Sequence, residues 1–541
     1  MSVLERTIAF FSPKAALDRK VKNAQIDILN SMGFGNHAAS RTSRGLAGWI
    51  TRGGSPDDDI TKNLPTLRER SRDLFMGSPL ASGAIRTTRT NVVGSGLRLN
   101  SQIDFEYLGI SDEEAGEWER NVEREFYLWA NNPNECDAGR TLTFDRAQSV
   151  AFGSTLISGE VFAMTPNIKN KGCIYGTKVF LLEADYIDSP LTPDLTKDIQ
   201  SGIEIDQFGA PVAYYVANRH PADTSKADPV KYTRILAFGS KSGRRNVLHV
   251  MADIDRPRQR RAAPILSAAF EDLKQLDRYQ KAELMAAVIN GMMTVFIESE
   301  TPDSPLGESI AQEMQLAADD DSIYEMGNGN IVALNPGEKA NAVTPGRPNP
   351  VFDAFFMAVA SQIGAGVEIP RDLLLKIFGN SYSASRAALL EAWKMFRMRR
   401  TWFAAEFCQP IYEEWLTEAV FTGRIQAPGF FDDPAIKAAW CGADWYGPAP
   451  GQINPQDEAQ AAKIRIDEEL STREREAAEL TGADWRTTHR KRSSEEKRRR
   501  DDGTIILKAG EVIPGWSEQF TQPSPPADPS QGGKQNAPTK K

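Results

Sequence analysis

Two short runs of carboxylates are the side chains in this sequence whose types and spacing could do chemistry. They are Asp57, Asp58 and Asp59 and, in the second half of the chain, Asp319, Asp320 and Asp321. Paired carboxylates hold Mg²⁺ in enzymes that cut nucleic acids, so a metal-dependent nucleic-acid-processing enzyme is one interpretation. Because adjacent loop residues point in different directions, we favour the interpretation that both runs are solvated surface.

The sequence carries no recognisable catalytic motif. It has no phosphate-binding G-x-x-x-x-G-K-[ST], no H-E-x-x-H and no G-x-S-x-G, and GSKSG at 239–243 only approaches the last of these. The histidines are far apart in the sequence, which does not favour a metal site; they are His37, His220, His249 and His489. We therefore predict neither an enzyme nor a bound metal or cofactor.

The composition predicts a folded chain without a membrane span. Of the 541 residues, 40% are hydrophobic and 25% are charged, which is ordinary for globular domains and excludes a wholly disordered chain. No run of about 18 apolar residues occurs, and cysteines without a C-x-x-C spacing indicate reduced thiols in a cytoplasm. The net charge of −9 argues against nucleic-acid binding over the whole surface but permits local basic patches.

One long helix, predicted over 386–420, dominates the elements that would position any site. On its first face large side chains recur at intervals of three and four: Leu389, Trp393, Phe396, Phe403, Phe407, Ile411 and Trp415. The opposite face carries Ala388, Met395, Met398, Trp402 and Ala405. Such a helix needs two packing partners, and the second is either the rest of a large subunit or a neighbouring copy. The candidate subunit-contact residues are Met395, Met398 and Trp402, and we expect a bend at Pro410.

The other segments follow the order of a mixed α and β half, a helix, an insertion and a second helix. Strand patterns between turn signals dominate 160–240, and an amphipathic helix over 265–289 carries Leu273, Leu276, Leu284 and Val288 on one face. A strand-bearing insertion of about sixty residues separates it from a shorter helix. Near the end, a basic helix at 483–502 is either a solvated helix or a contact with a nucleic-acid backbone.

Together these segments resemble the lambda-like branch of the phage portal protein family. The resemblance covers about 64–498 and is carried by stretches in a fixed order: LRERSRDLFMGSPLASGAIRTTRTNVVGSGLRL, LISGEVFA, LEADYID, GIEIDQFGAPVAYYV, RAAPILSAAFEDLKQLDRYQKAELMAAVI, EIPRDLLLKIFGNSYSASRAALLEAW and INPQDEAQAAKIRIDEELSTRE. Where the family usually has a glycine after the basic run RPRQRR, this chain has Ala262.

The resemblance implies an α+β portal fold assembled as a closed ring of roughly twelve copies. Its parts would be a mobile arm (1–60), a mixed α/β wing (61–255), a first stem helix (256–290), a strand-bearing clip (291–348), a second stem helix (349–365), a tunnel loop (366–385), a long tunnel helix (386–425), a helical crown (426–500) and a disordered tail (501–541). A monomeric scaffold or adaptor protein remains an alternative to the ring.

The resemblance also implies a function and a set of partners. The ring would occupy a unique vertex of the virion capsid after assembly in the host cytoplasm. The terminase ATPase would drive double-stranded DNA through it without sequence specificity, and the DNA would later leave by the same channel. Capsid or scaffold protein, head-completion proteins and tail connector proteins would be its other partners, and the acidic run at 319–321 would lie on the clip where terminase docks.

We expect DNA to pass the tunnel loop and the basic patch that follows it. Short neutral groups on the loop touch phosphates without holding them, and the cations add attraction that salt screens. The candidate channel residues are Lys376, Asn380, Ser381, Tyr382, Ser383, Ser385, Lys394, Arg397 and Arg399. Arg400 falls on the apolar stripe, and for it we expect a structural ion pair.

Overall fold

A computed structural model describes residues 53–190, 196–223, 228–291, 295–299, 338–342, 351–378, 381–450, 455–482 and 485–504, with a few single positions besides. The clip candidates Asp319, Asp320 and Asp321 and the loop residue Asn380 lie outside these residues. So do most of the expected N-terminal arm and C-terminal tail.

The half of the chain expected to form the wing is mixed helix and strand, as the sequence predicts. Its helices and strands are, in order, α1 Pro56–Asp59, α2 Leu64–Gly77, α3 Pro79–Val92, β1 Arg98–Ser101, α4 Phe105–Leu108, α5 Asp112–Ala130, α6 Pro133–Cys136, α7 Phe144–Ser158, β2 Glu160–Met164, β3 Phe180–Glu183, β4 Asp198–Gln200, β5 Ile203–Ile205, β6 Pro211–Ala217, β7 Tyr232–Leu236 and β8 Val247–Met251.

The second half is mostly helical. It contains α8 Phe270–Gly291, β9 Val295–Ser299, β10 Glu338–Ala342, α9 Phe352–Gly366, α10 Arg371–Leu375, α11 Tyr382–Phe403, α12 Gln409–Phe421, α13 Pro434–Trp440, β11 Ala443–Tyr446, α14 Pro455–Asp467, α15 Arg473–Thr481 and α16 Trp485–Asp501. The α+β class is confirmed, because the helices accompany several small antiparallel sheets.

Two antiparallel sheets build the wing. One has the strand order β3-β2-β8 and the other β4-β5-β6-β7, and a small core that includes Phe162, Tyr214 and Val247 lies with them. The main core joins α3, α5 and α7 to the long helix, with Trp129, Phe152 and other large side chains fully buried. The wing helices are therefore the packing partners of the long helix.

Strand β2 is fixed to the start of the stem by a tight backbone approach. Gly159 ends α7 with a φ of 89°, and a Cβ there would lie 2.2 Å from the carbonyl oxygen of Ala262. Only glycine avoids both the strained φ and the clash. The chain entering the first stem helix therefore passes directly over the end of α7.

The long helix is continuous but not uniform. A π-helical turn at Ala404–Cys408 separates α11 from α12, immediately before Pro410. Because proline lacks an N–H and crowds the preceding turn, the wider π turn accommodates it. The π turn lies just before Pro410, and the expected bend there stays a prediction. The helix begins four residues earlier than predicted.

The boundary expected between the tunnel helix and the crown at 426 needs correction. Strand β11 pairs with β1 of the wing, with Arg98 opposite Tyr446 and Ser101 opposite Ala443. Trp440 and Cys441 are buried in the main core. Residues 426–446 thus pack as part of the wing half, and the helices α14, α15 and α16 follow them.

Candidate functional site

The tunnel loop is shorter than the sequence predicts. Helix α10 occupies part of the expected loop and ends at Lys376, which has a left-handed φ of 56°, while Ser381 caps α11 by accepting the N–H of Ala384. The segment between the two helices, 376–381, is therefore six residues long. It carries two exposed apolar side chains, Ile377 and Phe378, which the sequence analysis did not select.

The other loop candidates belong to the first turns of α11. Tyr382 is its first residue, Ser383 is exposed, and the hydroxyl of Ser385 is buried without a hydrogen-bond partner among the described residues. Among the loop candidates whose side chains the structure describes, Lys376, Ser381 and Ser383 are exposed. An isolated apolar pair between two helices, as at 377–378, is the signal that could have identified Ile377 and Phe378.

Two of the predicted channel cations lie on the surface of α11. Lys394 is paired with Glu391 at 2.5 Å, and Arg397 lies 3.7 Å from Glu479 of α15. Each exposed cation therefore has a carboxylate neighbour. The patch attracts phosphate only weakly, because each positive charge is partly compensated.

Arg399 was wrongly predicted as a channel residue. Its side chain is 1% exposed, and its guanidinium lies 3.1 Å from Glu368 and 3.4 Å from Asp253. Burial raises the pKa of Asp253, although the charge of Arg399 opposes that rise. Arg399 therefore joins α11 to the segment after α9 and to the end of β8, and it is not accessible to DNA.

Arg400 has the structural role expected of it, but not through an ion pair. Its guanidinium donates to the backbone carbonyls of Asn91, Val92 and Pro448 at 2.8–3.0 Å and lies over the ring of Trp393. Burial lowers its pKa to about 10. Arg400 thus holds α11 between the end of α3 and the segment after β11.

The three subunit-contact candidates differ in their environments. Met395 is buried in the main core, and Trp402 is half-buried with its ring 6.1 Å from that of Phe152. The subunit itself covers these two side chains. The part of the second apolar face of the long helix that remains exposed is therefore smaller than the helical periodicity predicts. Met398 is 54% exposed and borders an open groove of about 570 Å³ beside α9.

The outer half of the first stem helix is also uncovered. Leu273 and Leu276 are buried as predicted, but Leu284 and Val288 on the same face of α8 are exposed. The second stem helix contacts the inner half, where Tyr279 stacks on Phe352. The amphipathic pattern of α8 therefore continues beyond the core that the described residues supply.

The acidic run at 57–59 is ion-paired and not freely solvated. Arg260 pairs with Asp57, and Arg256 pairs with Asp59 at 2.7 Å. Both arginines come from the basic run RPRQRR, so the two oppositely charged runs neutralise each other. This pairing removes the observation that favoured a metal-dependent enzyme at this run.

One group of three potential metal ligands occurs among the described residues: Glu183, Asp185 and His220. His220 Nε2 lies 3.6 Å from a carboxylate oxygen of each acid. Its Nδ1 accepts the N–H of Ala222 at 3.1 Å, so a neutral ring carries its proton on Nε2, the atom that a metal would need. Arg72 forms an ion pair with Asp185. The group fits a hydrogen-bonded cluster and not a metal centre.

A buried charge cluster joins the wing to the start of the first stem helix. Glu160 is fully buried and forms ion pairs with Arg68 and Arg261. Nε2 of His249 lies 2.7 Å from the same carboxylate. Burial alone would raise the pKa of Glu160, but the two guanidinium groups and His249 hold it at about 2. Burial lowers the pKa of His249, with Glu160 opposing that shift. The sequence analysis missed this cluster, since its members are distant in the chain.

Comparison with known proteins decides the family. The sequence profile described as phage portal protein, lambda family, matches residues 42–400, which is more than half of the chain. The chain belongs to this family. Its role is therefore that of a capsid portal protein.

Individual portal proteins show the same similarity along most of their length. Portal protein B of Escherichia phage lambda is 26% identical over 457 residues, covering 80% of this chain and 84% of the relative. The portal protein of Escherichia phage N15 is 24% identical with the same coverage. The probable portal protein of Halomonas phage phiHAP-1 is 25% identical over 438 residues, covering 79% and 80%.

Solved structures that contain a similar chain come from the necks of gene transfer agent particles. The neck of the empty particle, computed with C6 symmetry, matches with a TM-score of 0.42 and 13% identity, covering 70% of this portal chain and 94% of that chain. The neck of the native particle, computed with C12 symmetry, matches with a TM-score of 0.39 and 12% identity, covering 70% and 93%. No helix among the described residues of the portal chain has the length and apolar character needed to cross a membrane.

Proposed function

We propose that this portal chain forms a closed ring of roughly twelve copies at one vertex of the capsid. Double-stranded DNA would enter the capsid through the ring during assembly in the host cytoplasm and leave through it later. The observation that carries the proposal is the match of residues 42–400 to the portal family. The match includes the segments named stem and clip and the first part of the long helix.

Uncovered apolar side chains support contact between copies. Met398 on α11 and Leu284 and Val288 on α8 are exposed, and burying a large apolar side chain contributes about 1.5–3 kcal/mol. A neighbouring copy of the same chain would cover these positions in a ring. Met395 and Trp402, which pack inside the subunit, are no longer proposed as contacts.

DNA would meet the exposed polar groups between Lys376 and Arg397. Lys376, Ser381 and Ser383 lie on or beside the loop, and Lys394 and Arg397 lie on the helix after it. A ring multiplies each side chain by the number of copies, so strong cations would hold duplex DNA too tightly to move. The carboxylates Glu391 and Glu479 beside the two helical cations reduce that attraction.

The clip would provide the docking surface for terminase and, later, for head-completion and tail connector proteins. Its acidic run, Asp319, Asp320 and Asp321, would attract a basic partner surface and speed encounter. The proposal assigns no catalysis to the portal chain: the ATPase activity comes from terminase. Capsid or scaffold protein would contact the ring as the shell forms around it.

Imaging and packaging measurements test the proposal. Negative-stain electron microscopy and light scattering of the purified chain should show rings, and a monodisperse folded monomer at micromolar concentration would refute the assembly. Changing the three clip aspartates to alanine should leave the rings intact but lower DNA packaging and tail attachment. Normal packaging and attachment in that variant would refute the docking role of the acidic run.

A further inference from the structure

Helix α16 carries an excess of positive charge that the proposed channel does not use. It contains eight Lys or Arg and three Asp or Glu, a net charge of +5 in a chain whose total is −9. Its first turn is fixed to the body of the protein, because Arg486 forms an ion pair with Glu119. From Arg490 onward the side chains are exposed, apart from half-buried Glu496.

The exposed cations form two clusters along the helix. The proximal cluster is Arg490, Lys491 and Arg492, and the distal cluster is Lys497, Arg498 and Arg500. Within the part of the chain that the structure describes, these six side chains form no ion pair, whereas Glu496 holds Arg499 at 3.1 Å. Successive residues turn by about 100° around a helix, so each cluster projects to several sides.

Stabilisation of the helix itself does not explain both clusters. Cations near a helix C-terminus interact favourably with the helix dipole, but this effect falls off within the last turn. It therefore accounts for the distal cluster alone. The proximal cluster lies in the N-terminal half of α16, where the dipole gives positive charge no advantage, and it has no carboxylate partner there.

We propose that α16 binds the phosphates of double-stranded DNA without reading the base sequence. Lys491 and Arg498 are seven residues apart, about 10 Å along the axis, which is close to the roughly 12 Å width of the major groove. A helix across the groove would place one cluster at each phosphate-lined wall. Ser493, Ser494 and Glu495 would lie over the groove between the walls, away from the phosphates.

The competing partner is an acidic protein surface. A single flat protein surface would meet one side of α16 and leave the cations on its other sides unpaired. A helix seated in the major groove has phosphates beside each cluster on more than one side. This DNA contact is distinct from the channel residues on α11, and it depends neither on ring formation nor on terminase. Its failure would therefore leave the proposed packaging function untouched.

DNA-binding measurements on the full chain test the inference. Fluorescence anisotropy with a labelled 30-base-pair duplex would compare the unmodified protein with two triple glutamine variants, one for each cluster. A third variant replaces Lys169, Lys171 and Lys241, three exposed wing lysines, and removes the same charge. Each phosphate contact contributes about 0.9 to the slope of affinity against salt on logarithmic axes.

Each cluster variant should weaken binding at least about tenfold at 0.1 M salt. It should lower that slope by about two to three, because it removes three cations that contribute about 0.9 each. The wing variant should change affinity by less than about twofold, and circular dichroism should show unchanged helix content in all three. The proposal would be overturned if the wing variant lost as much DNA affinity as the cluster variants. It would also be overturned if the unmodified protein did not bind DNA at 0.05 M salt. Binding of poly-aspartate with the same dependence on both clusters, and no DNA binding, would assign α16 to an acidic protein.

Discussion

The carboxylate of Glu160 accepts a hydrogen bond from Nε of Arg261 at 2.5 Å, with both side chains buried. Arg261 ends the basic run that precedes the stem, and Glu160 opens the central strand of a wing sheet. The same guanidinium donates to the carbonyl oxygens of Ala184 and Ile187. This pair therefore fixes the start of the stem to the wing.

Replacing Glu160 by glutamine should destabilise the subunit severely. The amide keeps the shape of the carboxylate but leaves the guanidinium group of Arg261 buried without a counter-charge. Arg68 keeps only Asp185, 3.5 Å away. Removing one partner of a buried ion pair costs about 3–5 kcal/mol. Chemical denaturation should show this loss in the free energy of unfolding.

A matched control is the substitution Glu391→Gln on α11, which removes the exposed carboxylate paired with Lys394. An exposed pair contributes about 0–1 kcal/mol, so this variant should unfold close to the unmodified protein. Equal stability of the Glu160→Gln and Glu391→Gln variants would show that the buried cluster contributes no more than a surface pair.

The same cluster predicts how stability depends on pH. Glu160 has its pKa lowered from 4.5 to about 2, so its stabilisation is complete above pH 4.5 and is lost as pH falls toward 2. The pKa of His249 is lowered from 6.5, so the unfolded chain takes up that proton first as pH falls. Stability should fall below about pH 6.5. The His249→Gln variant should lack this first decline, and an identical pH profile in the two proteins would contradict the prediction.

Charge reversal should destabilise the protein at the buried Arg399 but not at the exposed Arg397. Arg399→Glu would bury a carboxylate beside Asp253 and Glu368, and an uncompensated buried charge costs about 3–5 kcal/mol. Arg397→Glu changes a half-exposed side chain whose neighbour Glu479 remains solvated, and it should cost less than about 1 kcal/mol. Thermal unfolding compares the two. A normally folded Arg399→Glu protein would restore Arg399 as an accessible channel residue.

Local periodicity predicted which elements form, but not which faces the subunit covers. The long helix and the helices on either side of the insertion follow from side-chain spacing. Whether Met395 is buried and Met398 exposed depends on where α3 and α9 lie, and periodicity carries no such information. Arg399 finds its partners 31 and 146 residues away in the sequence, so a count of nearby charges could not identify it as buried.

A charge at Met398 should disrupt assembly without unfolding the subunit. Met398→Asp alters a side chain that is 54% exposed, so the monomer should keep its helix content, while the carboxylate would enter a contact between copies. Met76→Asp on α2 is the control, because Met76 is also exposed but lies away from α11. Light scattering should show smaller species for Met398→Asp alone. Intact rings would remove Met398 from the contact.

A charge at Trp402 should destabilise the subunit itself. Its position on the helix had instead suggested a contact between copies. Its ring packs against Phe152 and Phe403 inside the subunit, so Trp402→Asp should lower the free energy of unfolding by about 3 kcal/mol or more. Loss of rings in this variant would follow from unfolding. A stable, fully helical Trp402→Asp monomer would instead show that Trp402 is a contact between copies.

Deleting 380–383 tests the tunnel loop. The deletion removes Asn380, the cap residue Ser381 and the first two residues of α11. It should permit ring assembly and terminase docking but impair completion or retention of packaging. Ser381→Ala is the control, since it loses the cap hydrogen bond, worth about 1 kcal/mol, and keeps the loop length.

Nuclease protection followed by gel sizing would measure packaged DNA length. We expect shortened or leaking genomes in the deletion and full-length genomes in the control, because loop length determines whether polar groups reach the duplex. Full-length, stably retained genomes in the deletion would show that the loop has no part in packaging.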